Sequence, residues 1–169
     1  MYVMDTNVLL FLQNHYFPNI FISLWEFINE LISENKLISI KEVQREITSE
    51  KHKTFWNDID SNHDNDFYQD LIHGEIGCFK EIKELDIYSK IIFKKDSSGD
   101  EYEWSLKKEW EEGRAVADPF LICHGLFHNS TIITTESPDK QLNIPHVCNE
   151  LNVKCIGLEK FFLENQLKF

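Results

Sequence analysis

No stretch of the 169-residue chain stays apolar for the roughly 18 residues that a membrane-spanning helix needs. The N-terminus also lacks the basic segment that opens a secretory signal. The two absences together lead to the expectation of a cytoplasmic protein. Cysteine is scarce, and the four, at 78, 123, 148 and 155, include no CxxC pair. That is the pattern of reduced thiols rather than of a disulfide framework. Six glycines and four prolines nowhere gather into a linker, and no internal repeat is visible. One domain over residues 1–169 is therefore expected. Positive charge is short as well, with 17 Lys and Arg against 29 Asp and Glu and a net charge of -12. This excludes a protein that coats nucleic acid by bulk electrostatics. It does not exclude a nuclease, because a bound divalent metal supplies its own positive charge.

What the chain does have is an apolar fraction of 42% and 13 Phe, enough for a sizeable core. Tyr2 to Met4 reads as a short buried strand. FISLWEFINELISEN, Phe21 to Asn35, carries apolar residues at 21, 24, 25, 28, 31 and 32, which predicts an amphipathic helix. LISI, Leu37 to Ile40, is a short strand or the lead-in to a helix over KEVQREITSE. Ser39 and Glu42 stand at capping-box spacing, which predicts Ser39 as the N-cap. Residues 51–113 are polar and less regular, with Trp56, Trp104 and Trp110 as anchors, and predict a mainly helical insertion within the domain. Asp96 to Trp104 reads as an exposed loop leading into a helix. Asp118 then Pro119 is a helix start, an N-cap acid before Pro at the first helical position. TIITT, Thr131 to Thr135, is a strand ending at Glu136. A short helix follows around Val147 to Leu151, then a strand in Val153 to Gly157 and a C-terminal helix. Strands alternating with helices imply an α/β fold with a parallel sheet and helices on both faces.

The opening, MYVMDTNVLLFL, places a charge inside an otherwise buried segment, and an unpartnered buried carboxylate is costly. Asp5 follows the first strand, Glu136 follows TIITT, and Asp118 heads the helix before that strand. Ligands of open parallel sheets gather at the carboxyl ends of strands, above all where strand order reverses. Glu46, inside the second helix, would make a fourth acid there. Four carboxylates brought together raise one another's pKa values and destabilise the fold. A divalent cation removes that conflict, and all-oxygen ligation selects Mg²⁺ or Mn²⁺ over zinc. Asp5, Glu46, Asp118 and Glu136 are accordingly the expected metal ligands.

MDTNVLL, VQREI, ADPFLICHG and IITTE resemble the PIN-domain nucleases, and among them the VapC-like toxins of bacterial toxin–antitoxin systems. The likeness covers Met1 to Glu50 and Arg114 to Phe169 and leaves the middle unmatched. It implies a three-layer α/β/α sandwich and a metal-dependent endoribonuclease in which Asp5, Glu46, Asp118 and Glu136 are catalytic. Asn7 and Thr134 would orient those acids or a bound water. Glu136 departs from the family, where Asp is usual, and its longer side chain would reach the metal through water. Glu42, one turn before Glu46, is its rival, although VQREI fits the family pattern better. The chemistry implied is hydrolysis of RNA phosphodiesters by a metal-activated water, leaving 5′-phosphate and 3′-hydroxyl ends. Arg45, Lys51 and Arg114, with Lys41 and Lys53, lie near the acids in sequence and are candidates for phosphate contacts. The resemblance also implies a cognate antitoxin and a homodimer. Trp56, Phe67 and Tyr68 would either offer that antitoxin a surface or, the reading favoured here, fill the core of the middle region.

Three other readings compete. Cys123, His124, His128, His146, Cys148 and Cys155 lie close in sequence, and His124 and His128 share a helical face. Without paired ligands, buried cysteines and ordinary surface histidines explain them better than structural zinc. A Mg²⁺-dependent phosphatase of the haloacid-dehalogenase type would also place an acid after the first strand. It wants a second Asp two residues later, where this chain has Asn7. A PIN-like fold that has lost catalysis and serves as a binding or scaffold module is the non-enzymatic alternative.

Overall fold

The β1 strand, Tyr2–Met4, is central to a five-stranded parallel sheet. On one side it pairs with β2, Leu37–Ile40, in the register Tyr2 to Leu37 and Val3 to Ile38. On its other side it pairs with Thr131–Ile133, running Tyr2 to Thr131 through Met4 to Ile133. The computed structural model describes residues 1–95, 97–111, 117–140 and 143–167, with the side chains of 87 and 109–111 left aside. In chain order the strands are β1, β2, β3 (Tyr68–Gln69), β4 (Ile92–Lys95), β5 (Glu101–Trp104), β6 (Thr131–Ile133) and β7 (Cys155–Ile156). The sheet order is β3-β2-β1-β6-β7, while β4 and β5 form a separate antiparallel hairpin. The chain thus moves outward from β1 through β2 to β3, then returns to build β6 and β7 on the opposite side. Strand order reverses between β1 and β6, and ligands of such sheets bind beyond that point.

Helices flank the sheet and give the expected three-layer α/β/α arrangement. They are α1 (Thr6–His15), α2 (Ile22–Ser33), α3 (Lys41–Glu46), α4 (Glu50–Ser61), α5 (His73–Gly77), α6 (Phe79–Lys83), α7 (Leu106–Glu111), α8 (Asp118–His128), α9 (Ile144–Glu150) and α10 (Leu158–Glu164). The apolar spacing of α2 becomes its buried face, formed by Leu24, Trp25, Ile28, Leu31 and Ile32. All four residues of β2 are buried, as parallel strands covered on both faces require. Among the described residues no helix is long and apolar enough to cross a membrane. All four cysteines are free thiols.

Local expectations needed correction in several places. Ser39 does not cap a helix: it lies in β2, and its hydroxyl donates to the Met4 carbonyl at 2.9 Å, tying two strands together. The N-cap of α3 is Ile40, and Glu42 is held by Arg45 at 2.8 Å. Asp118 is the first residue of α8 and Ala117 its N-cap, so the Pro119 signal is right to within one position. Glu101 to Trp104 is the second strand of the hairpin rather than a loop, and the helix that follows it is α7.

Residues 51–113 hold four helices, but they also supply a strand of the main sheet and the hairpin. The strand β3 pairs with β2 through Ser39 to Tyr68 and is pinned by Asp60. The Asp60 carboxylate accepts the N–H groups of Phe67 and Tyr68 at 2.7 and 3.0 Å. Trp56, Phe67 and Tyr68 are buried in the core, with Trp56 stacked on Phe67 at 5.6 Å between centroids. They fill the core and offer no surface to a partner. Trp104 is half-buried, and the Trp110 side chain lies outside the described residues.

Close packing fixes α8 on the sheet. A β-carbon on Gly125 would stand 2.8 Å from Val153 Cγ1 and 3.0 Å from Ile132 Cδ1. Both neighbours are branched side chains on or beside strands, with little room to retreat. Overpacking of this kind costs about 1–3 kcal/mol, which exceeds the gain of up to about 1 kcal/mol from replacing a helical glycine. Gly125→Ala should therefore destabilise the protein by about 1–2 kcal/mol in urea unfolding. An unchanged midpoint would mean that α8 can lift off the sheet at no cost.

Candidate functional site

Asp5 comes directly after β1, and its amide continues the ladder by donating to the Ile133 carbonyl at 3.0 Å. It occupies the N-cap position of α1 with extended backbone (φ -75°, ψ 156°), yet its side chain makes no capping bond. The carboxylate is aimed at Thr134, whose hydroxyl donates to Oδ2 at 2.8 Å. The same Thr134 oxygen accepts the Glu136 N–H at 3.1 Å, so one buried hydroxyl links two acids from neighbouring strand ends. Glu136 Oε2 in turn accepts the N–H of Ile144, the first residue of α9, at 2.8 Å.

Glu46 ends α3 and joins the group from the β2 side. Its Oε2 accepts the Thr6 hydroxyl and its Oε1 the Ala117 N–H, each at 2.5 Å. Those bonds tie the start of α1 to the residue just before Asp118. Strand ends β1 and β6 and the starts of α1 and α8 are thereby drawn to one place.

The charges of the four acids act on one another. Burial pushes the Asp5 carboxyl up to about 7, the Thr134 hydrogen bond opposes this, and the charges of Glu136 and Glu46 add to the rise. Asp118 is also raised well above the usual range, first by burial of its carboxyl and then by Asp5, Glu136 and Glu46. Glu42 is among the causes of neither shift; its Oε1 pairs with Arg45 and its Oε2 is buried without a hydrogen-bond partner. Among the described residues no lysine or arginine forms an ion pair with any of the four. Burial and mutual repulsion thus act together on Asp5 and Asp118.

Other expected site residues divide. Thr134 belongs to the cluster. Asn7 is exposed, and among the described residues no hydrogen bond joins it to the acids; Thr6 has that role instead. Arg45 is bound to Glu42, Lys41 to Asp70 at 2.5 Å and Lys53 to Glu50 at 3.6 Å. Lys51 is exposed on α4, and Arg114 lies outside the described residues. The lysines that share a cavity with Glu136 come from elsewhere. A cavity of about 580 Å³ is lined by Lys94, Lys95, Tyr102, Lys140 and Asn143 together with Glu136. Sequence spacing could not reveal this, because the hairpin that carries Lys94 and Lys95 lies some forty residues before Glu136.

A second polar group lies between α5 and α8. Glu75, 2% exposed, uses Oε2 to accept the N–H of Ile72. Its Oε1 stands 2.8 Å from His128 Nε2 and 3.7 Å from His124 Nε2. Among the described residues these three form the group whose ligand atoms all lie within 4.8 Å of one another, and they are able to hold a metal ion. The reading of both histidines as ordinary surface residues is therefore corrected for His124, which is 2% exposed. Burial and the neighbouring His128 hold its imidazole down at about 4, so it is neutral near pH 7. Cys123, Cys148, Cys155 and His146 are not part of the group, and Cys148 is engaged with Cys155.

A carboxyl raised in the folded state stabilises the fold while it is protonated. For Asp5 that contribution is complete below pH 3.8 and lost as the pH rises through about 7. The full difference is worth up to about 4 kcal/mol. In chelator, thermal stability should fall between pH 5 and pH 8, and Asp5→Asn should flatten the fall. At pH 8 the variant should be the more stable by on the order of 1–4 kcal/mol. Melting curves of both proteins across this range test the point, and parallel pH profiles would refute it.

No curated protein and no solved structure matches the chain. A family profile matches residues 2–169, and the chain belongs to the family it describes, the domain of unknown function DUF4411.

Proposed function

We propose that the protein is a Mg²⁺- or Mn²⁺-dependent endoribonuclease of the PIN-domain kind, acting on RNA in the cytoplasm. The observation that carries this reading is the meeting of Asp5, Glu46, Asp118 and Glu136 at the point where strand order reverses, with two of them resisting ionisation. A divalent ion bound there would lower the pKa of a water and stabilise charge on the phosphodiester. Asp5 and Asp118 are the direct ligands in this reading. Glu46 and Glu136, whose oxygens already accept hydrogen bonds from Thr6, Ala117 and Ile144, act through water. Such a division suits Mg²⁺, which keeps several waters and takes one or two carboxylates directly. Thr134 holds Asp5 and Glu136 in mutual register. Lys140 in the cavity beside Glu136 is a candidate for a phosphate contact, while Lys95 in the same cavity is paired with Glu101 at 3.7 Å and Lys94 lies over the Trp104 ring. Tyr102 in the same cavity offers a face on which a base can stack.

The biological setting that goes with this reading is the toxin of a toxin–antitoxin pair, on the strength of the resemblance in MDTNVLL, VQREI, ADPFLICHG and IITTE. A cognate antitoxin and a homodimer belong to the same proposal. An antitoxin surface built on Trp56, Phe67 and Tyr68 is not part of it, because all three are buried.

A second reading, a scaffold without catalysis, has its own support. The charges of the acids act on one another, yet among the described residues the group whose ligand atoms lie within 4.8 Å of one another is the one at Glu75, and the four acids do not reach that spacing. Cleavage of a structured RNA mixture in Mg²⁺, Mn²⁺ or EDTA separates the two. The nuclease reading expects metal-dependent cutting that falls at least about 100-fold in Asp5→Asn and Asp118→Asn, with the fold intact by circular dichroism. Thr134→Val should cost about 10- to 100-fold, as loss of a group that orients a ligand does. No cutting and no Mn²⁺ binding would establish the scaffold.

A further inference from the structure

We propose a second metal site, separate from the four acids, in which Glu75, His124 and His128 bind Zn²⁺ and fasten α5 to α8. His124 and His128 are one helical turn apart on α8, with ring centroids 4.6 Å apart, and Glu75 approaches both from α5. Ligand atoms held about 2.0–2.1 Å from a tetrahedral zinc stand roughly 3.3–3.5 Å from each other. The observed 2.8 and 3.7 Å separations straddle that value, so small side-chain rotations complete the site.

The surroundings of His124 are what call for an ion. The residue is 2% exposed, its Nδ1 has no hydrogen-bond partner, and Nε2 stands too far from Glu75 to form one. A cation between the two helices would take up the Nε2 lone pair that faces Glu75 without a bond, and the ring proton would then sit on Nδ1, on the opposite side of the ring. Glu75 is equally buried, and its Oε2 is already committed to the Ile72 N–H, which aims Oε1 at the two rings. The His128 side chain is 34% exposed and opens the group to solvent, giving an ion a route in and a place for a water as fourth ligand. Two imidazoles and one carboxylate favour zinc over Mg²⁺, the opposite preference from an all-oxygen cluster.

The site would also serve the packing of α5. The helix α5 has only five residues, and it meets α8 where a β-carbon on Gly74 would press on the Phe127 ring at 2.8 Å. A metal shared between Glu75 and two side chains of α8 would hold this short helix against that close contact.

Zinc uptake by the metal-free full-length chain, measured by equilibrium dialysis and elemental analysis, tests the proposal. His128→Ala is the main variant, because its partly exposed ring can be removed without opening the core. Glu75→Gln is a second variant, and Asp5→Asn and Asp118→Asn serve as controls at the other cluster. Wild type should bind one equivalent of Zn²⁺ and melt at a higher temperature with it. The two control variants should bind equally well, whether or not they cut RNA. Binding should weaken at least 10-fold in His128→Ala and in Glu75→Gln, with the thermal shift lost. If wild type takes up no zinc, or if His128→Ala binds as wild type does, the three residues are only a hydrogen-bonded contact between helices. Loss of binding in Asp5→Asn alone would place the ion at the acids and overturn the proposal.

Discussion

Two buried carboxylates, Asp5 and Asp118, held beside Glu46 and Glu136 and raised above the usual range, are the constraint around which the rest of the structure is arranged. Burial alone would expel Asp5, and the charges of Glu46 and Glu136 make its position worse. The fold answers with donors rather than with counter-ions. The Thr134 hydroxyl, the Thr6 hydroxyl and the amides of Ala117 and Ile144 each donate to one of the acids. Each donor belongs to the end of a strand or the start of a helix. The acids can therefore be displaced only by moving β1, β6, α1, α8 or α9. Stability is given up locally, because two carboxyls are held where burial and like charge both oppose ionisation.

The apolar core makes that concession tolerable. Val3, Met4, Ile132 and Ile133, in the two strands that flank the reversal, are fully buried and carry no polar atoms that need partners. Further out, Trp56 and Phe67 stack beneath the edge strand, and Asp60 satisfies two amides where that strand begins. The middle of the chain is thus a contributor to the core as well as a decoration on it. The β4–β5 hairpin then projects beside Glu136 and brings Lys94 and Lys95 to the rim of the acidic cluster.

How much of this was legible in the sequence depended on the range over which the signal acts. The helix over 22–33, the strands at 2–4 and 131–133 and the acids that follow them could be read because hydrophobic period and strand-end position are local properties. Ser39 shows the limit: its spacing to Glu42 satisfies the capping pattern, but the hydroxyl finds a better acceptor in Met4, 35 positions away. Asn7 and Thr6 show a finer one, since both are polar neighbours of Asp5 and only the start of α1 decides which turns inward. The β3 strand is two residues long, too short to show a period, and exists because β2 offers an edge. Glu75 was invisible for a related reason. Its partners His124 and His128 are about fifty residues away, and a ligand set split across two helices leaves no spacing motif.

The helix α8 is where these strands of argument meet. Asp118 is its first residue, and His124 and His128 lie on its later turns. At about 1.5 Å per residue, His124 stands roughly 9 Å along the axis from Asp118. The acids and the histidine pair therefore do not share ligands, and their chemistry sorts them further, oxygen donors for a hard ion and imidazoles for a softer one. Yet both depend on one rigid body, pressed against Ile132 and Val153 through Gly125. Whatever shifts α8 by an ångström moves Asp118 relative to Asp5 and also moves the two histidines relative to Glu75. A metal that fixed the far end of α8 to α5 would consequently narrow the positions open to Asp118 at its near end. The coupling would run through the stiffness of a helix and not through any shared bond.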